Sequence, residues 1–233
     1  MAAIPLDRLD LDAVTLARLD RAGVLQGTNA LGPADTSRVL ALDWPELERV
    51  LPDHGLPRGV VEIASPTTKQ GAMRGGATTI ALSAIRAVHA ADPRGWCAWI
   101  TETKAPLLYA PAVAQAGVDL ERLLVVRPEP ADLARTVVKV AASGAFDLVV
   151  VDAPLGAPRG WGDGSVVVRR LALCAEEKGT TSLVLTSLYT SRASAWPVAL
   201  RLEVERRPEA IALRVTKDRR GRASSQHVVR VAC

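Results

Sequence analysis

Val60-Val61-Glu62-Ile63-Ala64 runs toward Gly71-Ala72-Met73-Arg74-Gly75-Gly76-Ala77-Thr78-Thr79: an apolar strand, a glycine-rich turn and the start of a helix. The second stretch fits the phosphate-binding pattern Gly-x-x-x-x-Gly-Lys-[Ser/Thr] at every fixed position but one, because Ala77 stands where the lysine belongs. Such a turn works because backbone N–H groups and a helix N-terminus wrap phosphates while the lysine ammonium neutralises the outer ones. Without that ammonium, hydrolysis is expected to be feeble or absent. The question then shifts from what the chain hydrolyses to what it binds.

Outward from this stretch, apolar runs and amphipathic segments alternate. Strands are expected near 60–64, 96–100, 122–126, 147–151 and 182–186, with helices over Thr78 to Ala91, Pro106 to Ala116, Ala131 to Ser143 and Ser165 to Lys178. Alternation of this kind builds a mostly parallel sheet with helices on both faces. After Trp196 the period falls to two, over Val198 to Glu205, Ala210 to Thr216 and Gln226 to Val231, with turns at Arg207-Pro208-Glu209 and Arg220-Gly221. These segments read as antiparallel strands that extend the sheet.

Upstream, Asp12 and Gly23 bracket a short helix, residues 25–40 read as a linker, and a second short helix near Trp44 to Val50 leads to a turn over Pro52 to Gly59. The organisation expected is a helical segment and linker over 1–55 and an α/β core over 56–233.

Composition narrows the function classes. The 233 residues, 48% hydrophobic, suffice for one substantial core. Cys97, Cys174 and Cys233 are too scattered for a disulfide framework, and neither they nor His54, His89 and His227 show metal-ligand spacing, so no metal is expected. No Gly-x-Ser-x-Gly or His-Glu-x-x-His element is present, against hydrolase chemistry of those kinds. The start, Met1-Ala2-Ala3-Ile4-Pro5-Leu6-Asp7, lacks a basic region and an apolar core, and no apolar run reaches the length of a membrane span, so a cytoplasmic location is expected. Residues 1–55 hold nine Asp/Glu against five Arg, whereas Arg214, Lys217, Arg219, Arg220 and Arg222 face only Asp218 in their segment. That basic segment reads either as a contact for an acidic protein or DNA, or as a solvated hairpin tip.

Four stretches in this order resemble the core of RecA-type recombinases: Leu56-Pro57-Arg58-Gly59-Val60-Val61-Glu62-Ile63, the glycine-rich turn, Gly117-Val118-Asp119-Leu120-Glu121-Arg122-Leu123-Leu124, and Phe146-Asp147-Leu148-Val149-Val150-Val151-Asp152. The likeness spans about residues 50–230. The lost lysine, the small size and the stretch Leu108 to Gly117 are more similar to the ImuA family, also described as SulA-like. The fold implied is α/β: a RecA-like, mostly parallel sheet flanked by helices, with antiparallel strands added at the C-terminal end.

The resemblance also implies roles for single residues. Gly71, Gly75, Gly76 and Ala77 would be a vestigial nucleotide cradle. Thr78 and Thr79 would hold Mg²⁺ in an active site and are expected here to cap the helix that follows. Asp152 sits where an active enzyme holds the metal through water, or else caps the next turn. Glu102 sits where the water-activating glutamate is found. Thr186 replaces a glutamine that senses the γ-phosphate. Lys69 or Arg74, in the lengthened turn, could stand in for the missing ammonium.

By the same resemblance, the chain is expected to be a non-catalytic accessory in bacterial SOS-induced translesion DNA synthesis, with no cofactor. Its implied partners are an ImuB-type polymerase-like protein and RecA, a DnaE-class error-prone polymerase indirectly, and DNA through the basic C-terminal hairpin. A divergent active ATPase and a SulA-type division inhibitor are the alternatives.

Overall fold

The structure is a computed structural model that describes residues 39–66, 75–152, 164–188, 196–222 and 226–231. Its elements, in chain order, are β1 (Val39–Leu40), α1 (Pro45–Val50), β2 (Leu56–Pro57), β3 (Val60–Ser65), α2 (Gly76–Ala91), β4 (Cys97–Thr101), α3 (Ala110–Gln115) and β5 (Leu123–Val126). They continue with α4 (Leu133–Ala142), β6 (Leu148–Asp152), α5 (Gly164–Lys178), β7 (Thr181–Ser187), β8 (Leu200–Arg207), β9 (Ala210–Asp218) and β10 (His227–Arg230). Short 3₁₀ turns at Leu120–Arg122 and Pro130–Asp132 lead into β5 and α4.

Eight strands form one sheet in the order β10-β9-β8-β3-β7-β6-β4-β5. The central strands β3, β6, β7 and β4 carry near-continuous buried runs, as strands covered on both faces must. One face packs against α2, α1 and Val113 of α3; the other packs against α4 and α5. All five strands expected in the parallel part are found, with ends shifted by a residue or two. Trp96, expected within β4, lies just before it and is exposed, whereas Trp99 is fully buried.

Four expectations are corrected. β8 runs parallel to β3, with Glu62 opposite Arg201, and only its pairing with β9 is antiparallel, so the parallel sheet extends one strand further than period-two reading indicated. The helix expected from Pro106 begins at Ala110: Pro111 has no N–H, and its ring would clash with the carbonyl four residues back, so it is accommodated only in a first turn. Residues 39–40, read as linker, and 56–57, read as turn, pair as β1 and β2. Gly55 is obligatory there, since a Cβ on it would lie 2.5 Å from Val39 Cγ1.

The compact unit that carries these elements begins at Thr36, not at residue 56. Leu42, Trp44, Leu47 and Leu51 belong to the same buried cluster as α2. The Trp44 indole N–H donates to the Arg230 carbonyl (3.0 Å), Glu46 accepts from the Arg230 N–H (2.8 Å), and Ser83 donates to the Leu42 carbonyl (3.0 Å). The expected helix at residues 12–23, the Lys69 to Arg74 turn, Trp161 and Cys233 lie outside the described residues.

Candidate functional site

In an open parallel sheet the ligand side is at the C-terminal ends of the strands. Here those ends meet the start of α2. Gly75 is the N-cap of α2 with φ of +62°, a conformation that a residue with a Cβ adopts only under strain. Among the described residues no side chain caps the helix, and no acidic residue lies in its first turn. The expected capping is corrected for Thr79, whose hydroxyl donates to the Gly75 carbonyl (2.9 Å), satisfying an acceptor rather than a free N–H. The positive end of the helix dipole stays available to an anion.

Ala77 points the other way. It is 0% exposed and lies with Ile80, Ala81 and Ala84 on the helix stripe that packs against the sheet. A lysine at this position would have to thread its stem out of a packed apolar layer before its ammonium met solvent or phosphate.

Beneath the helix start runs a row of strand-end polar groups. Ser65 is paired in register with Ser187, and Thr101 with Asp152, so the row spans β3, β7, β6 and β4. Ser65 and Thr101 are buried, and their hydroxyls have no hydrogen-bond partner among the described residues. Burial pushes the Asp152 carboxyl up to about 6; among the described residues the only opposing influence is the indole of Trp99. No described cation faces it. Glu102 is the first residue beyond β4, adjacent in the chain to the partner of Asp152, and its carbonyl closes a turn by accepting from Ala105 N–H (2.9 Å).

Thr186 does not belong to this row. Its hydroxyl donates to Glu62 Oε1 (2.9 Å) on the opposite face of the sheet, so it is turned away from the strand ends that meet α2. Glu62 in turn meets Arg201 Nη1 at 2.5 Å, both essentially inaccessible, and so ties β7, β3 and β8 together. Sequence reading passed over this pair, although Glu62 is the one charge in the otherwise apolar β3. Magnesium nucleotide thus finds at the described residues a helix N-terminus and the carboxylates of Asp152 and Glu102, with no described cation facing Asp152 and with the Thr79 hydroxyl already bonded to Gly75.

The basic segment is mostly used inside the fold. Arg222 binds Asp53 (2.9 Å) and Asp218 (2.7 Å), Arg220 reaches Asp53 (3.2 Å), Arg214 pairs with Glu203 (2.6 Å), and Lys217 donates to the Trp196 carbonyl (2.5 Å). The hydrogen-bonded Arg222 guanidinium holds the Asp53 carboxyl below the usual carboxylate range, and the two aspartates raise the pKa of Arg222. Arg219 is exposed, and its side chain has no partner among the described residues.

The family model of the RecA N-terminal domain matches residues 36–175, more than half of the chain. The chain belongs to this family. The match starts where the compact unit starts and contains the α2 face together with Ser65, Thr101 and Asp152 of the strand-end row, so the departure at Ala77 is a departure within a RecA-family core. A comparison with curated proteins finds no match. Among the described residues no helix is long and apolar enough to cross a membrane, and no group of three or more His, Cys, Asp or Glu is placed to hold a metal ion.

Proposed function

We propose that this RecA-family chain is a non-catalytic accessory in bacterial SOS-induced translesion DNA synthesis, of the ImuA kind. It acts by protein contacts with an ImuB-type polymerase-like protein and with RecA, and so reaches a DnaE-class polymerase indirectly. The observation that carries the non-catalytic part is the burial of Ala77 in the core at the position of the phosphate-binding lysine. Phosphoryl transfer depends on placed positive charge, and Asp152, raised to about 6, faces none among the described residues. The resemblance over Leu108 to Gly117 supports the ImuA branch.

The RecA contact has its own rationale. A recombinase filament grows head to tail, and a subunit that accepts a neighbour without passing the interface on stops it. Residues 1–55, with nine acidic residues against five arginines, do not look like a recombinase arm. Added to RecA before nucleation on single-stranded DNA, the full chain is expected to shorten filaments and lower RecA ATPase, with less effect when added afterwards. Affinity capture of the tagged chain from DNA-damaged cells is expected to recover a polymerase-like protein together with RecA. Unchanged filaments at several-fold excess and no RecA in the capture would remove the RecA contact, and recovery of a tubulin-like division protein instead would favour the SulA-type alternative.

A further inference from the structure

On the sheet face opposite α2, helices α4 and α5 pack side by side and leave a groove of about 390 Å³ between them. Its floor is aliphatic, with Ala134 and Val138 from α4 and Val166 and Val167 from α5. Val166 is 49% exposed, and one helical heptad further along α5 Leu173 is 54% exposed. Two large apolar side chains left on the outer stripe of a helix already anchored by Val167, Val168 and Leu171 serve no core, since the core is complete beneath them.

The rim is cationic. Arg135 and Lys139 stand on one side, one turn apart, and Arg170 on the other. Arg135 has a loose partner in Asp132 at 3.6 Å; among the described residues neither Lys139 nor Arg170 has an ion-pair partner. This sets the groove apart from the C-terminal hairpin, where four of five cations have partners within the fold. Unpaired positive charge flanking an apolar trough is complementary to a segment with acidic residues beside an aliphatic stripe. Nucleic acid fits less well: phosphates would pair with the rim but leave the valine floor wet, and among the described residues the groove offers no aromatic ring for a base to stack on. The ten residues of α4 are about 15 Å long, enough for roughly three turns of a docked helix with anchors at i, i+3 or i+4, and i+7.

We propose that the α4–α5 groove is a docking site for an acidic amphipathic helix of a partner protein. The inference does not rest on the damage-tolerance reading, because it concerns only this surface and is read out with peptides.

The test uses the full chain to select from a displayed library of 16-residue random peptides, followed by fluorescence anisotropy of the winners. Selected sequences are expected to combine Asp or Glu with Leu, Ile or Val at helical spacing. Their binding is expected to weaken at least tenfold in Val166→Asp and in Lys139→Glu/Arg170→Glu, and to be unchanged in the surface control Arg94→Glu. All these positions are exposed, so thermal unfolding of the variants should match wild type and separate lost docking from lost folding. Winners without an acidic bias, binding indifferent to the groove substitutions, or no winner at all would overturn the proposal. A dimer in sedimentation that the substitutions dissolve would overturn it in favour of a second copy, and single-stranded DNA binding lost by the same substitutions would do so in favour of nucleic acid.

Discussion

Two aspartates, Asp53 in the turn before β2 and Asp152 at the end of β6, show what this core has kept and what it has given up. Asp53 is clasped by Arg222 and touched by Arg220, and its carboxyl is held low. Asp152, at the C-terminal end of a central strand, faces no described cation, and burial lifts it to about 6. Both are acidic groups drawn partly out of water, and only one has been supplied with a counter-charge. Among the described residues, cations stand where they tie β9 and the turn before β2 together, and none stands beside Asp152. A site adapted to bind and split a magnesium nucleotide would show the reverse pattern at Asp152, because a nearby ammonium favours the ionised form.

The largest effect that would sharpen this contrast is expected at the buried pair Glu62–Arg201, the most protected of the retained charges. Arg201→Met leaves Glu62 without its ionic partner in the interior, with only the Thr186 hydroxyl, and should cost about 3–5 kcal/mol in chemical denaturation. Replacing both, as Glu62→Leu/Arg201→Met, should recover much of that loss. A single substitution that costs under about 1 kcal/mol would show that the pair does not hold β7, β3 and β8 together.

Asp152→Asn is expected to act in the opposite direction. A carboxyl raised from 3.8 to about 6 in the folded state penalises folding in full above pH 6, and the penalty fades as the pH falls through 6 to 4 and is gone below the unfolded pKa, where both states are protonated. The variant should therefore be more stable than wild type at pH 7, by about 2 kcal/mol once partial solvent contact is allowed for. The gain should shrink through pH 6 to 4 and vanish below. Equal stabilities at pH 7 would place a counter-charge beside Asp152 after all.

Arg222→Met should give the mirror-image profile with a smaller amplitude. A lowered carboxyl contributes stability above its unfolded pKa and loses it as the pH falls through the folded value, so the loss in the variant, about 1 kcal/mol for this part-exposed network, is expected at pH 7 and should diminish below pH 4. Smallest of all, Arg219→Glu should leave stability within about 0.5 kcal/mol, since the side chain touches nothing described. That variant is thus the clean probe for a partner or DNA at the hairpin. Arg220→Glu is not, because it sets a carboxylate against Asp53.

Much of this was legible in the residues, and the unread parts share a cause. Parallel strands covered on both faces announce themselves as unbroken apolar runs, so β3, β4, β6 and β7 could be placed within a residue or two. Pro111 carried a readable stop for the expected long helix, a local signal that was given too little weight. The direction of β8 was not local: its period-two pattern is the same whether it runs parallel or antiparallel to its neighbour, and only its pairing with β3 decides. The site divided the same way. Ala77 could be flagged from the motif alone, but that its side chain belongs to the core follows only from the packing of α2. The basic segment read as a free surface because Asp53 lies 169 residues from Arg222, and no spacing rule connects them. Glu62 and Arg201 are the instructive miss: Glu62 is the one charge in the buried run of β3, whereas Arg201 is one of five charges in β8, and only the pairing of β8 with β3 brings the two together.

The most direct test of the central claim is release of phosphate from ATP by the purified full chain with Mg²⁺ and single-stranded DNA, measured side by side for wild type and Ala77→Lys. Neither should exceed the uncatalysed background, and the variant should unfold more readily, by about 1–3 kcal/mol, because the new stem is forced into the packed layer formed with Ile80, Ala81 and Ala84. Steady multiple turnover by the wild type, or turnover restored by Ala77→Lys in a protein as stable as wild type, would contradict the account.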